Sequence, residues 1–302
     1  MNRSIKKVVL AGATGTLGSL ILSILSQSVE FEVTVVVRRT NATFPSRVTV
    51  KVADFNSVSS LTEAFEDQDA VIDATSGSDP GVNIRIIDAA VRARVYRIIP
   101  AEFSVDPENA KARSMPVFQG KDKAFHHVQE LASEDKITYT TISNGAFMDW
   151  CLRTGFLSLD IHSKKVELMN GGTLVIPWTL LESVAKATVE VLRLKDAKNR
   201  SFFIYSVQKS QKEMADLAKE ALGPEGWETT TIDMEKVIEG AMMECKAGNF
   251  NVQVIGDMIR YINSTEGYSG AWKNDDNEVL GVPTMSDEEV RQLITKIARE
   301  KK

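Results

Sequence analysis

The chain has 302 residues, 43% hydrophobic and 25% charged, with 36 basic and 41 acidic side chains and a net charge of −5. This composition excludes a disordered or collagen-like polymer, and the acidic balance argues against a nucleic-acid partner, which requires concentrated positive charge. Two cysteines, Cys151 and Cys245, are too few for a disulfide scaffold or a structural zinc site.

No run reaches the roughly 18 apolar residues that span a bilayer. No membrane partner is therefore expected, and a reducing, cytoplasmic location is. The length fits one large domain or two closely packed ones.

The predicted elements begin with a short strand, residues 5–11, rich in β-branched side chains. The sequence GATGTLG follows, and then a stretch with Leu17, Leu20, Ile21, Ile24 and Leu25 at helical period. A glycine run between strand and helix lets the backbone turn sharply and approach a diphosphate. The helix behind it offers free N–H groups and the positive end of its dipole. Gly12, Thr14, Gly15, Thr16, Leu17 and Gly18 are the candidate dinucleotide cradle.

The second strand, 31–37, ends in Arg38-Arg39. A guanidinium here suits a 2′-phosphate, where NAD-preferring sites carry an acidic residue for the ribose hydroxyl. NADP(H) is the expected cofactor, with Arg38 ahead of Arg39.

Strands over 48–55, 70–77 and 95–103 alternate with helices over 57–65 (capped by Asn56 or Ser57) and 82–93. Such alternation predicts an α/β fold, a Rossmann-type doubly wound parallel sheet with right-handed crossovers. Ligands in these sheets lie beyond the carboxyl ends of the strands. Asp54, Phe55, Thr75, Ser76, Gly77, Ala101, Glu102 and Phe103 are thereby placed along the cofactor groove.

The next helix, QGKDKAFHHVQEL, spans 119–131. Lys121, Ala124, Val128 and Leu131 share one face, and Lys123 lies about 200° around from Lys121. A lysine on the apolar side is a candidate general acid or base, because desolvation and a cationic nicotinamide would lower its pKa. The plainer alternative is a first-turn lysine reaching for water. His126 and His127 point about 100° apart and do not make a metal pair. His127 is a minor candidate at the groove edge, and no metal is expected.

The sixth strand, ITYTTIS, exits through Asn144, Gly145 and Phe147, which are placed near the nicotinamide. Phe147, Met148, Trp150 and Trp178 are candidate substrate-pocket residues, each of which also reads as ordinary core. The one Tyr-x-x-x-Lys match, Tyr205 to Lys209, falls on a predicted strand and is taken as chance.

After residue 150 the alternation loosens. A hairpin is predicted over 164–178 around Asn170-Gly171-Gly172, a helix over 180–194, a strand over 200–207, a helix over 211–222 and a small strand over 227–233. Two more helices follow, and a last one opens with the Ser286–Glu289 capping-box pattern. The loop 267–272, with Tyr268 and Trp272, is a candidate lid.

GATGTLG, the Arg38 ending, PAEFSVDPENAKARSMPVFQGK (100–121), ITYTTISNGAFMDW (137–150) and GYSGAW (267–272) together resemble the NmrA-like proteins, and within them the isoflavone reductase-like branch common in fungi. The likeness spans nearly the whole chain and is densest over 8–150. It implies an NADP(H)-binding domain over 1–155, which segments near 180–207 rejoin, and a smaller C-terminal α/β substrate domain over 156–302. It implies a reductase lacking the Tyr-x-x-x-Lys pair, acting on a small, aromatic or conjugated molecule. Its lysine falls on Lys121, or on Lys123 with a small offset. The same family holds regulators that sense dinucleotide, contact a protein partner and catalyse nothing, so enzyme and sensor both stand at this point.

Overall fold

The first strand, β1 (Lys7–Ala11), sends Val8 and Leu10 into one core and Val9 and Ala11 into another. A strand covered on both faces requires that division. The computed structural model describes residues 4–40, 42–75, 79 and 81–300. In the first half, β1 leads to α1 (Thr16–Gln27), β2 (Glu32–Val37), β3 (Thr49–Val52), α2 (Val58–Phe65), β4 (Ala70–Asp73), α3 (Val82–Arg92) and β5 (Arg97–Ile99). Then come α4 (Ala110–Arg113), α5 (Gln119–Ser133), β6 (Thr138–Ser143), β7 (Ala146–Phe147) and α6 (Met148–Thr154).

The second half contains β8 (Leu159–Asp160), β9 (Lys165–Met169), β10 (Val175–Thr179), α7 (Leu181–Glu190), β11 (Arg200–Phe203), β12 (Val207–Ser210) and α8 (Gln211–Leu222). It closes with β13 (Glu228–Ile232), α9 (Met234–Lys246), α10 (Val252–Ser264) and α11 (Asp287–Ala298). None of the described helices is long and apolar enough to cross a membrane.

Seven strands form the main sheet in the order β11-β6-β5-β4-β1-β2-β3, and every pairing is parallel. The fold is the expected Rossmann-type doubly wound sheet. On one face Ile21 and Leu25 of α1 and Val184 and Ala187 of α7 share a core with Leu10 and Ile72. On the other, Leu61 of α2, Ile86 of α3 and Val128 of α5 share one with Val9 and Ile98. Because the strands run the same way, their carboxyl ends open on one edge, at Ala11, Asp73, Ile99 and Ser143. The polypeptide returns to this sheet late, through α7 and through β11, which pairs with β6.

A third core gathers Met148, Leu152, Trp178, Met214, Met258 and Ile294 from α6, β10, α8, α10 and α11. Two three-stranded sheets border it, β12-β10-β7 and β13-β9-β8.

Two sequence expectations are corrected here. The segments flanking Asn170-Gly171-Gly172 do not pair as a hairpin. The chain does turn there, with φ of 49° at Asn170, 81° at Gly171 and 67° at Gly172. However, β9 pairs with β8 and β13, whereas β10 pairs with β7 and β12. β9 lies between β8 and β13, which leaves it no edge for β10; beside it, Gln211 Oε1 accepts from Met169 N at 2.8 Å, and its Nε2 donates to Leu157 O and Glu167 O at 2.8 and 2.9 Å. This buried side chain thus satisfies backbone groups around β9.

Residues 200–207 likewise do not form one strand. β11 ends at Phe203, and β12 starts at Val207 in a different sheet. Between them, Tyr205 exchanges two hydrogen bonds with Asn277: its N donates to Oδ1, and its O accepts from Nδ2.

Candidate functional site

The turn after β1 is built by close approach. Gly12 has φ +85°, and a Cβ there would overlap the Ala74 carbonyl at the end of β4. A Cβ on Gly18, in the first turn of α1, would overlap the Gly12 carbonyl. The turn closes with Gly15 N donating to Gly12 O at 2.9 Å. Gly15 caps α1 with no side-chain hydrogen bond, so the N–H groups of the first turn are not claimed by a cap. Thr14, Gly15 and Thr16 are exposed and Leu17 is half-buried.

A cradle of bare amides at a helix N-terminus, with no room for Cβ atoms beneath it, fits a diphosphate. Gly12 to Gly18 would hold that part of a dinucleotide.

Arg38 and Arg39 follow β2, exposed and without an ion pair among the described residues. They stand one strand away from the glycine turn, because β2 pairs with β1. Beyond β3, Asp54 is exposed and accepts from Asn56 N at 2.9 Å, while half-buried Phe55 accepts at its carbonyl from Arg85 Nε at 2.7 Å. Ser57 caps α2 by accepting from Ser60 N at 3.2 Å.

At the end of β4, buried Asp73 accepts from Thr75 N, Thr75 Oγ1 and Asn83 Nδ2 at 2.9, 2.6 and 2.6 Å. Burial pushes its carboxyl up, against those hydrogen bonds and the Lys121 charge. Sequence reasoning did not single out Asp73; an acidic residue inside the apolar run AVIDA was the available signal. Ser76 and Gly77, expected in the groove, lie outside the described residues.

The β5 exit carries Ala101, Glu102 and Phe103, all buried. Phe103 packs into the α1–α7 core, and Glu102 forms a buried ion pair with Arg113 of α4. Lys121 of α5 is half-buried, and its Nζ donates to Ala101 O at 2.6 Å. Burial holds its ammonium below the ordinary lysine value; Glu102 and Asp73 oppose that shift, and Arg113 adds to it. Lys123 is exposed. His126 is exposed, and His127 Nε2 meets Asp88 Oδ1 of α3 at 2.7 Å, which ties it to a neighbouring helix. Arg113 was also missed, since nothing in the run NAKARS marks one cation for burial.

At the β6 exit, buried Asn144 donates its N–H to Ser104 O at 3.0 Å and accepts at its carbonyl from Thr179 Oγ1 at 2.6 Å. Gly145 and Phe147 are half-buried. Met148 and Trp178 lie inside the third core, with Trp178 Nε1 donating to Lys209 O. Trp150 is half-buried against Phe156, ring centroids 5.0 Å apart. Half-buried Tyr268 meets Tyr261 edge-on, and its loop is held by Asn109 Nδ2, which donates to Gly267 O and Tyr268 O. Tyr205 and Lys209 do not act together: Lys209 Nζ pairs with Asp287 at 2.8 Å.

A cavity of about 300 Å³ lined by Phe31, Tyr96 and Arg97 lies away from these residues, at the opposite ends of the strands. Among the described residues, no group of three His, Cys, Asp or Glu side chains is gathered as a metal site.

Known proteins share this frame. A family model described as NAD(P)H-binding matches residues 12–193. Oxidoreductase aprR of Aspergillus flavus is 29% identical over 300 residues, which covers 96% of this chain and 99% of aprR. An NmrA-like family domain-containing oxidoreductase of Gibberella moniliformis is 24% identical over 182 residues, 60% of this chain and 59% of that one. The crystal structure of an isoflavone reductase superposes with a TM-score of 0.75 at 20% identity, covering 95% of this chain and 99% of that one. The chain belongs to the NAD(P)H-binding family whose model spans residues 12–193.

Proposed function

We propose that the protein is an NADP(H)-dependent reductase of a small aromatic or conjugated substrate, with Lys121 as the group that handles the proton. The observation that carries the reading is a half-buried lysine anchored on the β5 exit, at the same sheet edge as an uncapped glycine turn. When bound, the dinucleotide supplies a hydride. The amides from Gly12 to Gly18 bind its diphosphate, and Arg38, with Arg39 beside it, meets a 2′-phosphate.

Asp54 and Phe55 border the adenosine end, together with Thr75. Ala101, Asn144, Gly145 and Phe147 line the nicotinamide end, and Glu102 and Phe103 support it from within the core. Lys121 sits where burial favours its neutral form, so it gives up its proton more readily than a surface lysine. Lys123, on the exposed face of the helix, has no such role. The substrate rests against Phe147 and Trp150, with Tyr268 closing over it.

The cofactor-binding unit comprises 1–155 with the returning segments near 180–207, and 156–302 supplies the substrate side. The test is a fluorescence titration with NADPH followed by NADPH-consumption assays on quinones, enals and phenylpropenes. Saturable binding with turnover of one class supports the reductase. Binding with no turnover across the panel, together with capture of a protein partner, overturns it in favour of a dinucleotide sensor.

A further inference from the structure

We propose that the buried Arg113–Glu102 ion pair positions Lys121: it locks the β5 exit loop whose Ala101 carbonyl holds the ammonium, and it brackets that ammonium with charges of both signs. Its meaning for function rests on the reading of Lys121 as the proton-handling group.

The pair is closed off from water, with side-chain exposure of 3% for Arg113 and 2% for Glu102. Arg113 Nη2 donates to Glu102 Oε2, while its Nε and Nη1 find no acceptor among the described residues. Among the described residues Glu102 is therefore the one hydrogen-bonded anchor of this guanidinium, which otherwise lies over the Phe118 ring, 5.5 Å from its centroid. Glu102 in turn is the residue after Ala101, and its N–H folds back on Pro100 O at 2.7 Å. The contact therefore runs from α4, through the β5 exit loop, to Lys121 on α5. Phe118, on the turn that leads into α5, packs against the same guanidinium, so the pair touches both ends of the route.

The charges facing Lys121 are Glu102 from the β5 exit, Arg113 from α4 and Asp73 from the end of β4. Glu102 and Asp73 favour the ammonium, and Arg113 with burial favours the amine. In such a bracket the two neighbours act in opposite senses on how readily Nζ gives up its proton. A carbonyl partner supports this arrangement, because a peptide oxygen orients Nζ without fixing its charge as a carboxylate would.

The test uses the full-length protein without cofactor. Lysines are acetylated with trace acetic anhydride across a pH series, and mass spectrometry reads the midpoint of the Lys121 profile, with Lys123 as internal reference. Arg113→Met leaves the Glu102 carboxylate to Lys121, so the midpoint moves up. Glu102→Gln leaves Arg113 beside it, so the midpoint moves down. Arg113→Lys keeps the charge and returns it toward the parent value. Lys123 stays in place throughout.

A pair that only packed the loop would, when broken, hydrate Lys121 and move both midpoints up; that outcome, or no movement in either, overturns the proposal. If either single variant fails to fold, the double variant Arg113→Met/Glu102→Gln buries no lone charge and is read in its place. Its midpoint is expected not to rise, because the two opposed charges leave together; a rise, which hydration of Lys121 would give, overturns the proposal. These readouts need no turnover. A protein that shows the opposed shifts yet reduces no substrate contradicts the reductase reading and not the electrostatic bracket.

Discussion

The Lys121 ammonium donates to the Ala101 carbonyl oxygen across 2.6 Å, while Lys123 in the same first turn is exposed. Two lysines in one short motif thus have different surroundings, set by helical phase. Lys121→Ala is expected to lower kcat/KM by about 10²–10⁴, the range for losing a positioned acid or base. Lys123→Ala should change it by no more than about twofold, as for an exposed surface site. NADPH affinity, measured alongside by fluorescence, separates lost chemistry from lost binding. Equal losses in the two variants would remove Lys121 from the mechanism.

The same burial gives Lys121 a signature in stability. Its folded-state pKa is lowered, chiefly by desolvation, from the ordinary 10.5. Between the lowered value and 10.5 the unfolded chain holds the proton and the folded chain does not. The unfolded state binds more protons there, so this residue's contribution to stability rises with pH across that window. Lys121→Met removes the titration. Thermal melts at a series of pH values should show the parent gaining on the variant as pH rises toward the ordinary lysine range. A constant gap would mean that Lys121 titrates as a surface lysine does.

The centre of the main sheet was legible because β1, β2 and β4 are runs of mostly apolar, buried residues and the helices carry a single apolar stripe, so period separates them. Gly12 and Gly18 were legible for a related reason, since close backbone approach leaves a residue-type signature. The predicted hairpin failed because Asn170-Gly171-Gly172 specifies a turn and nothing more. β9 is paired on both sides, by β8 and β13, and β10 by β7 and β12, while Gln211, 39 positions beyond Gly172, bonds Met169, Leu157 and Glu167 through its amide. Asp73 and Arg113 escaped notice for the same cause. A charged residue looks alike in sequence whether it is solvated or buried, and burial here is a product of tertiary packing.

The glycine turn makes an ordered prediction. A side chain at position 18 would run into the Gly12 carbonyl, whereas at position 15 the nearest approach to that oxygen is 3.3 Å. Gly18→Ala should therefore lose stability by about 1–3 kcal/mol, as overpacking does, and lose NADPH binding with it. Gly15→Ala should keep the fold and lose only part of the affinity, because neighbouring atoms need shift by a few tenths of an ångström. Calorimetric titration with NADPH, paired with thermal melts, checks both. A Gly18→Ala protein that binds NADPH as tightly as the parent would place the diphosphate elsewhere.

On the proposed reading, nucleotide preference would turn on Arg38, the first residue beyond β2 and exposed at the sheet edge that carries the glycine turn. An exposed guanidinium with no carboxylate partner among the described residues is free to close on a phosphate, and two parallel N–H donors suit that group better than a lysine would. Arg38→Ala should weaken NADPH by about 10- to 100-fold, the range for a lost charge-assisted hydrogen bond. NADH, with no 2′-phosphate, should change little, and Arg39→Ala should have the smaller effect on NADPH. The NADPH loss should shrink as salt rises, since an exposed charge pair is screened within about 8–10 Å at physiological ionic strength. Equal weakening of both nucleotides would mean that the side chain rests on the adenine ring, which the two share, and the selectivity would then have to come from another residue.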